Sequence, residues 1–290
     1  MNEDPGQTAL DLAAVDTVRM PDEPISATHG RAATVKPYYE DEQVALYLGD
    51  MREIIPELGL TAGLIVADPP YGETSLKWDR WPDAWVQTAT EASKSMWCFG
   101  SMRMFLEQRD EFAGWKLSHD VVWEKNTGTG FQTDRFRRIH EHALHWYRGK
   151  WGGVYHEGQR HVPPGGTRGR VKIGETVRHY RSSRGQHLGE IGDEGWTDDG
   201  TRLITSVLKA RNLHQNGSIH PTEKPVMLLM PLIKYGCPEG GLVLDPFAGS
   251  GATLEAARLS GRRAIDIEIS EAYCEAAARR LSQQIIGAAL

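Results

Sequence analysis

Val243-Leu244-Asp245-Pro246-Phe247-Ala248-Gly249-Ser250-Gly251-Ala252-Thr253 is the stretch whose reading decides the fold. An apolar run ends in an acid, a turn with two glycines follows, and a helical pattern begins at once. A parallel strand of an α/β sheet builds a nucleotide-type pocket in this way at its C-terminal end. Glycine lets the backbone approach a ligand closely, and a helix start presents N–H groups that lack intrahelical partners. From the glycines alone, an ordinary strand-to-helix turn reads the same way. The location is unusual, because a loop of this kind commonly opens its domain and here it stands late in the chain.

Working outward, 242–245 is a strand, 252–260 a helix closed by Gly261, and 264–269 a strand carrying Asp266 and Glu268. Ser270 is placed to cap a last helix that runs to about 285. Glu268 lies nineteen positions past Gly249, where nucleotide-binding α/β folds place the acceptor of the ribose hydroxyls. Asp266, two positions earlier on the same side of the strand, competes for that assignment. A dehydrogenase stays open at this point.

Upstream, 44–50 reads as a short strand ending in Gly49 and Asp50, and 51–58 as a short helix. Leu64-Ile65-Val66-Ala67 is a continuous apolar run of the kind buried on both faces of a sheet, and it stops at Asp68-Pro69-Pro70-Tyr71-Gly72. Neither proline can donate to a sheet ladder, so the strand must end there and leave a rigid ledge with free carbonyls beside an aromatic ring. A Pro-Pro turn with no chemistry is the plain alternative. Helix and strand patterns then alternate: a helix opened by Pro82 to about 94, a strand at 96–99, a helix at 102–112, and strands at 117–123 and 140–147. Residues 125–130 read as a flexible loop. Strands separated by helices predict a helix-covered, mostly parallel, doubly wound sheet.

With 290 residues, 40% apolar and 25% charged, the chain has the composition of a soluble globular protein. No apolar run approaches bilayer length, and the acidic Asn2-Glu3-Asp4-Pro5 is unlike a signal peptide. Cys98, Cys237 and Cys274 are odd in number and far apart, which excludes a disulfide framework or zinc knuckle and predicts a reducing cytoplasm. His140 and His142 alternate on a strand without reliable metal spacing, so no metal is assigned. Residues 125–190 carry thirteen Lys/Arg against five Asp/Glu and seven of the eleven histidines; that net +8, in a chain whose total is −6, leaves −14 elsewhere. A basic segment within an acidic body is the footprint of a polyanion-binding module, although a solvated basic face would look alike. The predicted organisation is a flexible lead-in at 1–36, half of an α/β domain at 37–148, an irregular Gly/Arg/His-rich region at 149–217, and the other half at 218–290.

Asp68-Pro69-Pro70-Tyr71, His220-Pro221-Thr222-Glu223-Lys224-Pro225 and Asp245-Pro246-Phe247-Ala248-Gly249-Ser250-Gly251 resemble, in this order, three signature motifs of the amino-group DNA methyltransferases, specifically the permuted β class. The similarity covers roughly 38–148 and 218–285. It implies a Rossmann-like methyltransferase sheet, circularly permuted, with S-adenosylmethionine as cofactor and double-stranded DNA as substrate. The permutation accounts for the late glycine turn and predicts that the N-terminal strand and the C-terminal helix are neighbours in space.

By the resemblance, Asp68 and the Pro69 carbonyl accept hydrogen bonds from an exocyclic amine, Pro70 stiffens the ledge, and Tyr71 stacks on a flipped base. Phe247, Ala248, Gly249, Gly251, Thr222 and Lys224 line the methionine end of the cofactor, with Asp245 at the strand end. Glu268 takes the ribose, and Asp50 takes the adenine amino group unless it is a plain turn acid. In the family the aspartate form of the tetrapeptide goes mostly with N6-adenine and the serine form with N4-cytosine, so Asp68 favours adenine. Ala252, where threonine is common, and Asp266, where glycine is common, depart from the pattern.

Base recognition falls to about 126–217. Lys125, Arg135, Arg137 and Arg138 are candidate DNA contacts, and Trp146, Trp151 and Tyr155 candidate wedges, with packing as the commoner role of such rings. The resemblance allows a homodimer, dimers being common in the class, and a cognate restriction enzyme as partners, in a bacterial cell or phage-infected host. RNA or protein-glutamine methylation would favour asparagine at position 68 and an unpermuted order. A non-catalytic DNA-binding protein would not need Asp68, Tyr71 and the glycine turn all intact.

Overall fold

The computed structural model describes residues 35–129, 133–163, 176–177, 196–210 and 223–288. In chain order the elements are β1 (Tyr39–Glu40), β2 (Val44–Leu48), α1 (Met51–Leu58), β3 (Leu64–Ala67), α2 (Trp85–Ala92), β4 (Ser95–Gly100), α3 (Met102–Glu107), β5 (Lys116–Thr129) and β6 (Arg138–Tyr147). There follow β7 (Arg160–His161), β8 (Thr176–Val177), β9 (Trp196–Thr197), β10 (Arg202–Leu203), β11 (Val207–Lys209), α4 (Val226–Gly236), β12 (Leu242–Asp245), α5 (Ala252–Leu259), β13 (Arg263–Glu268) and α6 (Glu271–Ala288).

Among the described residues, one nine-stranded sheet runs in the order β1-β2-β13-β12-β3-β4-β6-β5-β11. From β2 to β4 every neighbour pairs parallel, whereas β6 runs antiparallel between β4 and β5. The fold is the expected α/β sheet, mostly parallel, with helices on both faces. β12 and β3 lie side by side, Leu244 opposite Ile65, and from them the chain leaves in opposite directions. β12 continues through α5 to β13 and β3 through α2 to β4. Crossovers of one hand then put α5 and α2 on opposite faces, and a crevice opens at the strand ends between them.

Two apolar cores follow from this winding. Leu58, Trp85, Met104 and Leu244 belong to the core under α1, α2 and α3. Leu64, Leu232, Val243 and Leu254 belong to the core under α4, α5 and α6. Alternate residues of each buried strand serve opposite cores, which is why β3 and β12 are apolar throughout. The predicted proximity of the N-terminal strand and the C-terminal helix holds: β2 pairs in parallel with β13, Ala264 opposite Val44, and α6 packs on both.

Several boundaries differ from expectation. α2 starts at Trp85 and not at Pro82, because Ala84 takes a left-handed φ of 59° that a continuous helix cannot hold. The helix expected over 102–112 ends at Glu107 and gives way to a 3-10 turn at Arg109–Phe112. The segment expected as a flexible loop after Glu124 continues β5; pairing with β6 is interrupted beyond Glu124 and regained where Thr129 meets Arg138. The described residues of Gly158–Thr205 form a compact unit of their own, with β7 paired to β10 and β8 to β9. This is narrower than 149–217, since Trp151–Gly153 and β11 belong to the larger unit. Among the described residues, no helix is long and apolar enough to cross a membrane.

Beneath the glycine turn, two acids stand opposite each other in register, Asp245 on β12 and Asp266 on β13, both buried. Asp245 accepts hydrogen bonds from the Phe247 N–H (2.9 Å) and the Thr253 hydroxyl (2.6 Å), yet burial pushes its carboxyl up to about 7. Asp266 is completely enclosed, with the Leu254 amide near it but no hydrogen bond of ordinary geometry, and burial raises it well above the carboxylate range. The folded state therefore retains protons that the unfolded chain releases. Their stabilising effect is complete below about pH 4 and is lost as pH rises through about 7 for Asp245. His145, pushed down to about 3 by burial, acts in the opposite sense below its ordinary 6.5. We therefore predict that the stability of Asp266→Asn relative to wild type, measured by urea unfolding at each pH, rises from pH 5 to pH 8 by at most about 1.4 kcal/mol per pH unit.

Candidate active site

The crevice at the ends of β12 and β3 is a cleft of about 1490 Å³. Single-ligand pockets commonly span about 300–1,000 Å³, so this one has room for two ligands. Asp50, Asp68, Pro69, Pro70, Tyr71, Lys224, Asp245, Phe247, Ala248, Gly249 and Glu268 line it, and Arg135, Phe136, Arg137 and Arg138 line its edge.

On one side is the glycine turn. Gly249 and Gly251 have φ of 53° and 74°, which side chains disfavour, and a Cβ on Gly251 would lie 3.0 Å from that of Ala277. Asp245 closes the turn from beneath through Phe247 and Thr253. Glu268 closes it from β13, accepting from the N–H groups of Gly249 and Ser270 at 2.8 Å each. The Gly249 amide is thus already taken, and it is the Glu268 carboxylate that faces the cleft. Asp266 does not line the cleft, so the structure separates the two acids that the sequence left in competition. Phe247 presents its ring edge-on to Trp85 at 5.2 Å. Asp50 caps α1 by accepting from the Arg52 N–H, pairs with the Arg52 guanidinium at 2.5 Å, and is held below the usual carboxylate range by it.

On the other side is the ledge. Asp79, buried and absent from the sequence-based candidates, accepts from the N–H groups of Gly72 (2.7 Å) and Thr74 (2.6 Å) and hooks the chain just past Tyr71. Asp68 is engaged at both oxygens: the Tyr71 hydroxyl is 2.7 Å from Oδ1, and the Lys224 ammonium donates to Oδ2 at 2.5 Å. Lys224, expected at the methionine end of a cofactor, lines the cleft and pairs with Asp68 and with Glu141, 3.0 Å away. Glu141 also approaches Tyr71 Oη at 2.6 Å and Lys125 at 2.5 Å. It escaped the sequence reading because nothing local marks it; it is one acid on an alternating strand, brought to the site when β6 pairs next to β4.

The electrostatics of this cluster are internally balanced. Burial alone would raise Glu141, but Lys224 and Lys125 bring it down to about 2. Burial would lower Lys224, but Asp68 and Glu141 outweigh it and raise it. Tyr71 is pushed well above 10 by burial and by Asp68, so its phenol is neutral. A phenol has one hydrogen, so Tyr71 serves only one of its two short carboxylate contacts at a time. Both present partners of Asp68 therefore have a second acceptor in Glu141.

The arginines Arg135, Arg137 and Arg138 are exposed at the cleft edge; Arg135 pairs with Asp134 and Arg138 with Glu73 (3.1 Å). Lys125 does not stand with them, being mostly enclosed between Glu141 and the face of Trp123. Thr222 lies outside the described residues. Trp146 stacks on Phe112 at 4.7 Å and Trp151 on His156 at 4.1 Å, while the Tyr155 hydroxyl donates to Glu157. The two tryptophan rings are engaged within the fold, whereas the Tyr155 ring is 39% exposed and held through its hydroxyl.

A family model described as DNA methylase matches residues 62–279. The chain belongs to this family and is an S-adenosylmethionine-dependent DNA methyltransferase. It is 24% identical to the type II methyltransferase M2.DpnII of Streptococcus pneumoniae, over 88% of this chain and 96% of that protein. It is 27% identical to the type II methyltransferase M.ScaI of Streptomyces caespitosus, over 88% of this chain and 86% of that one. In fold it resembles M1.HpyAVI, solved as a complex with SAM (TM-score 0.54, 21% identity, 82% of this chain and 99% of that one). It also resembles the cytosine-N4-specific PvuII DNA methyltransferase (TM-score 0.57, 16% identity, 86% and 89%).

Because Glu141 compensates the buried Lys224 and the part-buried Lys125, Glu141→Leu should destabilise the fold by about 3–5 kcal/mol, and Glu141→Gln by less. Urea denaturation of the two variants beside wild type measures both.

Proposed function

We propose that this protein transfers a methyl group from S-adenosylmethionine to the N6 amino group of adenine within a specific sequence of double-stranded DNA, as a permuted, β-class enzyme. The observation that carries the reading is the placement of Asp68 and Pro69 beside the glycine turn in one cleft large enough for cofactor and base. The parallel pairing of β2 with β13 supports the permuted order.

In this reading Phe247, Ala248, Gly249 and Gly251, with Thr222, hold the methionine end of the cofactor. Glu268 accepts from the ribose hydroxyls and Asp50 from the adenine amine. The cofactor supplies an electrophilic methyl group. The amine of a base is a poor nucleophile because its lone pair is delocalised into the ring. Hydrogen bonds from that amine to the Asp68 carboxylate and the Pro69 carbonyl favour a pyramidal nitrogen and stabilise the positive charge that develops on it. Tyr71 stacks on the base, which must leave the duplex to reach this depth. Holding the two reactants in line supplies much of the remaining acceleration.

Each Asp68 oxygen holds one donor and has a second lone pair for the amine, and its hold on the amine strengthens when the present donors are rehoused. Glu141 provides for this, since both the Tyr71 hydroxyl and Lys224 can turn to it without leaving a buried donor unpaired. Arg135, Arg137 and Arg138 contact the DNA backbone, and the segment 149–217 contributes to sequence recognition. A homodimer and a cognate restriction enzyme complete the proposal, and light scattering of the purified protein tests the first.

Incubation with unmodified DNA and cofactor, followed by sequencing of modified bases, reads out base, position and recognition site together. N6-methyladenine is expected, and N4-methylcytosine would overturn the choice of base. Asp68→Ala should lower the transfer rate by a factor of about 100 or more while calorimetry finds cofactor binding nearly unchanged. A variant that kept its rate would remove Asp68 from the mechanism.

A further inference from the structure

Phe136 is 101% exposed and touches no other ring among the described residues. It lies two residues before β6, close to where Thr129 and Arg138 pair, on the edge of the cleft that Asp68 and Tyr71 line. A fully exposed phenyl ring gains nothing from the fold that carries it. Its neighbours are Arg135, Arg137 and Arg138, all exposed, and Arg137 has no ionic partner among the described residues. Trp78, another exposed ring on the cleft, is only 43% exposed and has contacts of its own.

We infer that Phe136 is the wedge that enters the duplex when the target base leaves it. This rests on the base-flipping reading above. Extruding a base breaks its pair and two stacking contacts, and leaves an apolar gap in the helix. An aromatic ring inserted there regains stacking surface, and arginines on either side can hold the flanking phosphates. A ring free to stack, flanked by arginines that can reach phosphates, has the make-up of a nucleic-acid contact. Phe136 touches the DNA and not the reacting atoms, so it is a positioning residue.

The test uses the full-length protein and two duplexes bearing the mapped site, one with the target base paired normally and one with it opposite an abasic position. On the paired duplex, Phe136→Ala should lower kcat/KM roughly 10- to 100-fold, because the cost of extrusion is no longer offset. On the abasic duplex, where little pairing must be broken, it should recover to within about threefold of wild type. Phe136→Leu should fall between the two, and the thermal midpoint of either variant should match wild type. Equal losses on both duplexes, no loss on either, or a change in oligomeric state would overturn the inference. Asp68→Ala should be inactive on both duplexes, and a wild-type protein that methylated neither would overturn the functional reading along with this one.

Discussion

The parallel pairing of β12 with β3 is the constraint on which everything else in this molecule depends. Two strands that are buried on both faces lie side by side, and the chain leaves them in opposite directions. Helices on opposite faces cannot both cover the strand ends, so the crevice is a consequence of topology and needs no dedicated loop. It brings together two turns about 175 residues apart in the chain. One is shaped by glycines for a close backbone approach; the other is shaped by prolines to keep carbonyls out of the ladder.

Within the crevice, charge is handled by pairing. Asp68, Glu141, Lys125 and Lys224 form a balanced group of two anions and two cations around a neutral phenol. A buried ion costs several kcal/mol unless compensated, so each member constrains the others. The arrangement leaves both donors of Asp68 with an alternative acceptor in Glu141. Under the neighbouring turn the solution is different: Asp245 and Asp266 are enclosed without cations, and burial raises both. One side of the cleft rests on ion pairs, and under the other side burial raises two acids that have no cation beside them.

Much of this was legible in the chain. The apolar runs at 64–67 and 242–245 marked strands buried on both faces, and the turns after them marked the candidate site. What misled the reading was local chemistry overridden by neighbours. Gly128 and the polar residues around it suggested a loop over 125–130, whereas β5 continues to Thr129, where pairing with β6 is regained. Pro82 has the right character for a first helical residue, yet the left-handed Ala84 delays α2. For Trp146 and Trp151 packing was the commoner expectation and is what the structure shows, whereas Phe136 attracted no notice because exposure cannot be read from a strand-edge sequence.

The order and chemistry of the motifs determined the family, the fold class and the two halves of the cleft, because turns and buried strands are specified by short-range sterics and hydrophobicity that residues carry with them. Three-dimensional packing decided which acid lines the cleft, Glu268 and not Asp266, and brought Glu141 and Asp79 against the ledge. Those depend on strand register and on partners dozens of residues away, and burial and electrostatic pairing become defined only once the sheet has assembled.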